Sequence, residues 1–285
     1  MNNTVHLLPQ HQPILWLEDP AATSARRTGG KAAALAGLAG RLPIPPAFVV
    51  VGDVDPVAVA LAYAVLSERG GSDEAVVAVR SSAADEDGLD ASFAGQHETI
   101  LGVRGIDELL AAIDACRASG HSERALHYRR ANGLTAAGGP LPVLVQLLVP
   151  ADAAAVVFSL NPVTPRSGEV LVNAAYGLGE SIVGGTVTPD EWALRRASLD
   201  VARRTIADKR RMTVRAPGGS REVDVPAALR RLPSITDGQA RGGAALALVL
   251  ERELGFPVDL EVAWTADDLH LLQVRPITTL AQEAA

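Results

Sequence analysis

The sequence has very little lysine. Of its 26 basic residues only two, Lys31 and Lys209, are lysines, and the other 24 are arginines. A lysine ammonium is a compact, mobile point charge, whereas arginine presents a planar fork, so neither replaces the other where a point charge is needed. In so arginine-rich a chain, each lysine is a candidate functional residue.

Cysteine, clustered histidine and aromatic residues are also scarce. The single cysteine, Cys116, excludes an intrachain disulfide, and none of the six histidines has the spacing of a metal site. Aromatic residues make up 4% of a chain that is 48% hydrophobic, so aliphatic side chains must fill a sizeable core. The net charge of −7 argues against a nucleic-acid-binding surface as the main function.

Long apolar runs are missing as well. The longest, such as 153–158 and 244–250, fall well short of the roughly 20 residues that cross a membrane. Residues 1–16 lack the basic start and long apolar stretch of a signal peptide. The sequence therefore predicts a soluble, cytoplasmic protein without a membrane or nucleic-acid partner.

The length of 285 residues suggests two domains or lobes at roughly 150 residues each, and the pattern changes near residue 150. We expect one lobe over 1–150, where helices and strands alternate, and a second, mostly β lobe over 151–285. Helices are predicted over residues 31–40, 57–69, 106–118, 122–131 and 239–254. Strands are predicted over residues 47–51, 75–80, 97–101, 142–149, 153–159, 169–174, 191–196, 201–206, 211–215, 258–264 and 269–274.

The last two predicted strands carry a set of polar residues at alternating positions. Asp259 and Glu261 share one face of their strand, and Gln273 and Arg275 share a face of the next. A tight turn between the strands would place all four together, a set suited to a magnesium ion shared with substrate phosphates. The alternative is a solvated hairpin with a Glu261–Arg275 surface ion pair, and spacing alone favours that alternative.

Two segments of the first half could bind phosphate. Arg80 ends a predicted buried strand and precedes a small, polar, glycine-containing loop over 81–95, so it is placed to reach a phosphate. Gly29 and Gly30 precede Lys31, but the Walker A pattern is absent. The alternatives are a surface turn with a capping arginine and a helix start with a lysine that extends to solvent.

Taken together and in order, six segments resemble one family. They are GGKAAALAGLAG (29–40), VAVRSSA (77–83), SFAGQHETILGV (92–103), VLVQLLVP (143–150), NAAYGLGE (173–180) and the hairpin DLEVAW…LLQVRP (259–276). They are similar to the ATP-binding N-terminal region of phosphoenolpyruvate synthase, pyruvate phosphate dikinase and rifampicin phosphotransferase. The resemblance extends from about residue 25 to about residue 280.

This resemblance implies an α+β ATP-grasp fold whose two lobes close on Mg-ATP, and it implies roles for single residues. Lys31, Arg80 and Arg275 would contact the phosphates and form the catalytic set. Gly95 and Thr99 would belong to a loop over the phosphates, and Gln146 would lie beside the adenine. Glu261 and Gln273 would hold magnesium with support from Asp259. Lys209 would be either a second phosphate-side contact or a residue without a role.

The same resemblance implies an ATP-dependent phosphotransferase of dikinase type, forming AMP and phosphate. Large relatives pass phosphate through a histidine in a Gly-Gly-x-Thr-Ser/Cys-His-Ala type signature, which this sequence lacks, and their first lobe is longer between the residues matching Lys31 and Arg80. We therefore expect a partner protein that carries this histidine and a small-molecule acceptor. A stand-alone ATP-grasp kinase or ligase and a non-catalytic ATP-sensing module remain alternatives.

Overall fold

The computed structural model describes residues 13–83, 99–120, 140–216 and 218–278. Its α-helices are α1 (Ala25–Ala36), α2 (Pro56–Arg69), α3 (Ile106–Ser119), α4 (Glu180–Val183) and α5 (Asp237–Leu254). None of these helices is long and apolar enough to cross a bilayer. The strands are β1 (Ile14–Trp16), β2 (Ala47–Val50), β3 (Val76–Ser81), β4 (Thr99–Arg104), β5 (Val143–Leu147), β6 (Ala153–Phe158), β7 (Glu169–Tyr176), β8 (Asp190–Arg195), β9 (Val201–Thr205), β10 (Arg211–Ala216), β11 (Gly219–Asp224), β12 (Val258–Thr265) and β13 (Asp268–Pro276).

The first sheet has the strand order β1-β2-β5-β3-β4, and each neighbouring pair is antiparallel. Alternation along β2 divides its side chains between two faces. Phe48 and Val50 pack with residues of α2 and α3, while Ala47 and Val49 pack with residues of α1. The buried strands are rich in β-branched residues, which suit a pleated, packed surface.

The second sheet has the order β13-β12-β6-β7-β8-β9 and is also antiparallel throughout. Helix α5 covers one face, where small residues such as Ala240, Ala244 and Ala247 allow close packing against the sheet. A capping box between Thr236 and Gln239 begins the helix, and Gly255 with a φ of 81° ends it. The opposite face of this sheet remains available to form a site.

A two-stranded sheet of β10 and β11 reaches from the second half of the chain to β4 of the first sheet. The register of β3 and β4 shifts at Gly102, whose φ of 78° is typical of glycine at a β-bulge. A Cβ on Gly102 would lie 2.2 Å from the carbonyl oxygen of Gly219 in β11. The two backbones therefore touch, and this contact joins the small sheet to the first large sheet.

Most predicted elements are present, but several predictions need correction. Helix α1 extends over Ala25–Ala36 instead of 31–40, since helical residues precede the kink at Gly29 and Gly37 caps the end of the helix. The sequence gives no sign of β1, which is three residues long, or of the four-residue α4. The exposed, mixed polar strand β11 was also not predicted, because it lacks a buried face. The predicted helix over 122–131 lies outside the described residues.

The two large sheets are built from residues on either side of residue 150. Helix α1 packs both against strands of the first sheet and against β13 of the second. The division of the chain into lobes over 1–150 and 151–285 stays a prediction.

Candidate active site

A cavity of about 620 Å³ lies between the two large sheets. It is bounded by β3, β4 and β5 of the first sheet and by β6, β7, β12 and β13 of the second. Eight of the nine residues that the sequence predicts for the site line it: Lys31, Arg80, Thr99, Gln146, Asp259, Glu261, Gln273 and Arg275. The ninth, Gly95, lies outside the described residues.

The backbone of the Gly29–Lys31 segment is fitted directly onto the strand end that carries Arg80. Gly29 has a φ of 80°, and a Cβ there would lie 1.7 Å from the carbonyl oxygen of Ser82. The Gly30 N–H donates to the Ala83 carbonyl at 2.9 Å. Only glycine allows so close an approach of two backbones. The two sequence motifs therefore form one structural unit at the cavity.

Lys31 is held inside this unit. Its side chain is only 7% exposed, and Nζ donates to the Ser81 carbonyl at 3.4 Å. The alternative interpretation, a lysine at a helix start that extends to solvent, is wrong. The ammonium lies on the cavity lining close to the strand end that carries Arg80.

Arg80 extends from the end of β3 across the cavity to the second sheet. Its Nη1 lies 3.7 Å from Glu261 Oε2 and 3.4 Å from Gln273 Oε1. The residue is 8% exposed, and within the described residues its Nε has no hydrogen-bond partner. The interpretation of Arg80 as a capping residue of a surface turn is therefore wrong. The guanidinium therefore keeps one donor without a partner in the part of the chain that the structure describes.

The hairpin of β12 and β13 brings the four predicted polar residues together. In the observed register Asp259 is opposite Arg275 and Glu261 is opposite Gln273. Arg275 donates from Nε and Nη2 to Asp259 Oδ2, each at 2.7 Å. The alternative that spacing alone favours, a solvated hairpin with a Glu261–Arg275 pair, is wrong, since Arg275 pairs with Asp259 and Glu261 lies beside Arg80.

The environment of Asp259 is unusual for a carboxyl group. Burial raises its pKa to about 6, although the nearby Arg275 lowers it, and Glu261 adds a further increase. The residue is 4% exposed, and Oδ1 has no hydrogen-bond partner among the described residues. A cation at the cavity would satisfy this oxygen and favour the ionised form.

Gln146 lies on β5, where the chain leaves the first sheet. It is 1% exposed, and Nε2 has no hydrogen-bond partner in the part of the chain that the structure describes. Leu147, Leu148 and Val149 follow it along the cavity lining. An amide donor beside an apolar strip can hydrogen-bond the edge of a flat heterocycle while the strip contacts its face.

Among the described residues, three buried polar atoms of the lining side chains thus lack partners: Arg80 Nε, Gln146 Nε2 and Asp259 Oδ1. An unsatisfied buried polar group costs about 1–3 kcal/mol, so these atoms are candidates for contacts with a bound ligand. The set combines a donor for phosphate, a donor for a base and an acceptor for a cation. It fits a nucleotide with its metal ion.

The donor set also limits the kind of metal. No group of three or more His, Cys, Asp and Glu residues suited to a metal occurs among the described residues. The lining offers two carboxylates, Asp259 and Glu261, and the amide oxygen of Gln273. Magnesium is commonly held by one or two carboxylates together with substrate phosphates and water, so the set fits magnesium better than a fully protein-bound metal.

Part of the lining was not recognised in the sequence. The segment NAAYGLGE contributes to the family resemblance but no residue of it is predicted for the site, yet Leu178, Gly179 and Glu180 line the cavity, as do Ile182 and Val183 of α4. Apart from Glu180, these residues are apolar or small, and none belongs to a recognised catalytic motif. Only the family resemblance, in which this segment is one of six, could have indicated that it lines the site.

Lys209 is not part of the lining. It is 1% exposed, and Nζ donates to Asp190 Oδ1 at 2.5 Å and to the Ala207 carbonyl at 3.2 Å. The structure therefore places this lysine in a buried ion pair beside the second sheet and away from the phosphate-binding candidates.

Comparison with known proteins gives a family and several relatives. The model of the family described as pyruvate phosphate dikinase, AMP/ATP-binding domain, matches residues 56–285. A probable phosphoenolpyruvate synthase of Methanocaldococcus jannaschii is 33% identical over 318 aligned positions, which cover 94% of this chain and 27% of that protein. The phosphoenolpyruvate synthase of Pyrococcus furiosus is 40% identical over 232 positions, covering 78% of this chain and 28% of that protein. A rifampicin phosphotransferase of Streptomyces sviceus is 41% identical over 203 positions, covering 71% of this chain and 23% of that protein.

The chain thus spans about a quarter of the length of these relatives. The family match begins at residue 56, after the Gly29–Lys31 segment. The alignment with the Methanocaldococcus jannaschii protein covers 94% of this chain. It therefore cannot begin as late as residue 31 and must include that segment.

Proposed function

Because the chain belongs to the pyruvate phosphate dikinase AMP/ATP-binding domain family, we propose that it binds Mg-ATP in the cavity and uses it to phosphorylate a histidine of a separate partner domain or protein. It has the α+β ATP-grasp fold of this family, as its sequence predicts. The observation that carries the proposal is the set of three unsatisfied buried atoms, on Arg80, Gln146 and Asp259, in one cavity lining.

Lys31, Arg80 and Arg275 are proposed to hold the phosphates. Phosphoryl transfer depends mostly on positioning and on neutralising the charge of the transferred group, and these three cations are fixed by backbone and carboxylate contacts. The paired carboxylates keep the two arginines oriented toward the cavity. Arg80, with its remaining donor, is placed nearest the transferred group.

Glu261 and Gln273 would hold Mg²⁺, with Asp259 in support. When bound, the ion would neutralise phosphate charge and orient the phosphate oxygens. Arg80 already contacts both Glu261 and Gln273, so the same two side chains orient the guanidinium and supply metal ligands. Gln146 would donate to the adenine edge. Thr99, with the loop that contains Gly95, would cover the phosphates.

The proposed transfer is of dikinase type. The partner's histidine receives the β-phosphate, and ATP leaves as AMP and inorganic phosphate, which breaks two phosphoanhydride bonds and consumes one water. The small-molecule acceptor would then receive phosphate from the histidine. The chain matches about a quarter of the length of the relatives and the histidine signature does not occur in its 285 residues, so the histidine is proposed to lie on another domain or protein.

The test is to resolve the nucleotides formed from Mg-ATP by the chain alone and by the chain with a candidate protein that carries the histidine signature. AMP formed only in the mixture is the expected result. ADP as the sole product in every mixture would refute the dikinase-type transfer, and turnover with a small acceptor alone would support a stand-alone kinase or ligase. Binding of ATP without any turnover in any mixture would support an ATP sensor.

A further inference from the structure

Besides its bond to the Ala207 carbonyl, the buried ammonium group of Lys209 contacts two side chains. Nζ lies 2.5 Å from Asp190 Oδ1 and 5.4 Å from the centre of the Tyr176 ring. Both members of the ion pair are almost fully buried, with exposures of 1% for Lys209 and 0% for Asp190. A buried ammonium is costly unless it is paired, and here a carboxylate and an aromatic face both compensate it.

These two contacts lie at opposite ends of one segment. Tyr176 is the last residue of β7 and Asp190 is the first residue of β8. We call the intervening residues, 177–189, the wall segment, because seven of them line the cavity: Leu178, Gly179, Glu180, Ile182, Val183, Gly184 and Pro189. One ammonium group therefore contacts the residues that flank both ends of a cavity wall.

The Asp190 carboxylate is fully engaged. Besides Lys209, Oδ1 accepts from the Ala207 N–H at 2.9 Å. Oδ2 accepts from the N–H and the hydroxyl of Ser234 at 2.7 and 2.8 Å. This carboxylate joins the end of the wall segment to the chain that follows β9 and to the chain that precedes α5. Removal of the lysine would leave a buried anion with only neutral donors.

The start of the wall segment depends on the strand that follows Lys209. The Leu178 N–H donates to the Thr213 carbonyl of β10 at 2.8 Å. A Cβ on Gly177 would lie 2.2 Å from the same carbonyl oxygen, so the two backbones are in direct contact. A shift of β10 would therefore shift the beginning of the wall segment.

We propose that Lys209 is a positioning residue of the nucleotide site, since it holds both ends of the wall segment through Tyr176 and Asp190 and so fixes the shape of that side of the cavity. The identity of the ligand rests on the function proposed above, but the anchoring of the segment does not. Lysine suits this position because a single ammonium reaches both contacts, whereas the larger arginine fork would need space in a fully packed site.

The first experiment measures hydrogen exchange of the backbone amides without nucleotide, in the wild type and in Lys209→Met. The variant keeps most of the apolar stem and loses the charge. We expect amides of the wall segment to exchange at least about tenfold faster in the variant, because the segment opens locally. Wild-type exchange rates across 177–189 would overturn the proposal.

The control is Arg196→Met, which breaks a different ion pair that is only partly buried. Arg196 donates to both carboxylate oxygens of Glu251, at 3.0 and 2.5 Å, and lies outside the cavity lining. We expect this variant to melt at a lower temperature without faster exchange in the wall segment. Equal acceleration in both variants would mean that general destabilisation explains the result, which would also overturn the proposal.

The second experiment measures the ATP dissociation constant by calorimetry. We expect it to rise about tenfold in Lys209→Met, since a small displacement of a wall weakens ligand contacts, and to stay near the wild-type value in Arg196→Met. An unchanged constant in Lys209→Met would refute the positioning role. If the wild type does not bind ATP, the proposed function fails, while the exchange comparison still decides the anchoring.

A second variant covers the case in which Lys209→Met does not fold. Tyr176→Leu removes the aromatic face at one end of the wall segment and leaves the Lys209–Asp190 pair in place. Tyr176 is only partly buried, so this change is tolerated more easily. We expect faster exchange at the beginning of the wall segment only, and unchanged exchange there would contradict the role assigned to the lysine.

Discussion

Replacing Lys31 with arginine preserves the charge but should remove most of the affinity for ATP. Lys31 is 7% exposed, and the segment that carries it touches the backbone of Ser82. A guanidinium at this position overfills a packed site, which displaces the charge from the place of the ammonium. A lost charge-assisted phosphate contact costs about 1.5–3 kcal/mol, and even the lower end is roughly a 12-fold weaker dissociation constant.

Calorimetric titration with Mg-ATP checks this expectation in Lys31→Arg and in Lys31→Met, which removes the charge but fits the site. Arg69→Lys is the control, because Arg69 lies outside the cavity, 4.0 Å from the Trp16 ring centre, and binds Glu18. The control should bind ATP as the wild type does. A constant for Lys31→Arg within about threefold of the wild type, or about 0.65 kcal/mol, would refute the role of the ammonium.

Three further predictions concern the docked motifs, the metal and acid stability. Gly29→Ala should lower the free energy of unfolding by more than about 2 kcal/mol, because the new Cβ would clash with a carbonyl oxygen. Gly40 also has a positive φ, of 74°, but has open space around it, so Gly40→Ala should cost only about 1 kcal/mol of backbone strain. Urea unfolding compares the two variants, and equal losses of stability would contradict the clash at Gly29. Glu261→Gln should raise the magnesium concentration for half-maximal ATP binding by at least about tenfold, without weakening ATP binding in EDTA; an unchanged requirement would exclude it as a metal ligand. For Glu251, burial raises the pKa, but the hydrogen bonds from Arg196 and Ser159 and the charges of Arg196 and Arg252 together outweigh burial and hold the pKa below its usual value. Glu251→Gln should therefore be less stable by about 1.5 kcal/mol near pH 7, and the difference should disappear as the pH falls through this lowered pKa; a difference that persists in acid would contradict the ion pair.

The hairpin shows how far the sequence could predict the site. Alternation placed Asp259 with Glu261 and Gln273 with Arg275, and the structure confirms both pairs because a strand has a period of two. The ion pairs could not be predicted from spacing. They depend on the register and on Arg80, which arrives from the other sheet.

The sequence also does not show which side chains of the site are buried. Spacing gives the same pattern for a solvated hairpin and for one that faces a cavity, and only the packing of two sheets distinguishes them. The family resemblance supplied this information for Lys31 and Gln146, whose positions at the cavity follow from contacts between distant segments. Which of these residues act on ATP stays a prediction.

Lys209 was beyond prediction for a similar reason. Its rarity marked it as significant, but its partners, Tyr176 and Asp190, lie 33 and 19 positions earlier in the chain. No local pattern connects these residues. Elements without a buried face, such as β11, were missed because hydrophobic periodicity reports only packed surfaces.

The close fit of Gly29 onto Ser82 has a consequence for how chains of this family differ in length. Because the lysine and the strand end with Arg80 are joined by backbone contacts, their relative position does not depend on how much chain connects them. The alignment with the Methanocaldococcus jannaschii protein spans 318 positions, more than the 285 residues of this chain, so that relative contains insertions. Insertions or deletions between residues 31 and 80 can therefore occur while the relative position of Lys31 and Arg80 stays constant.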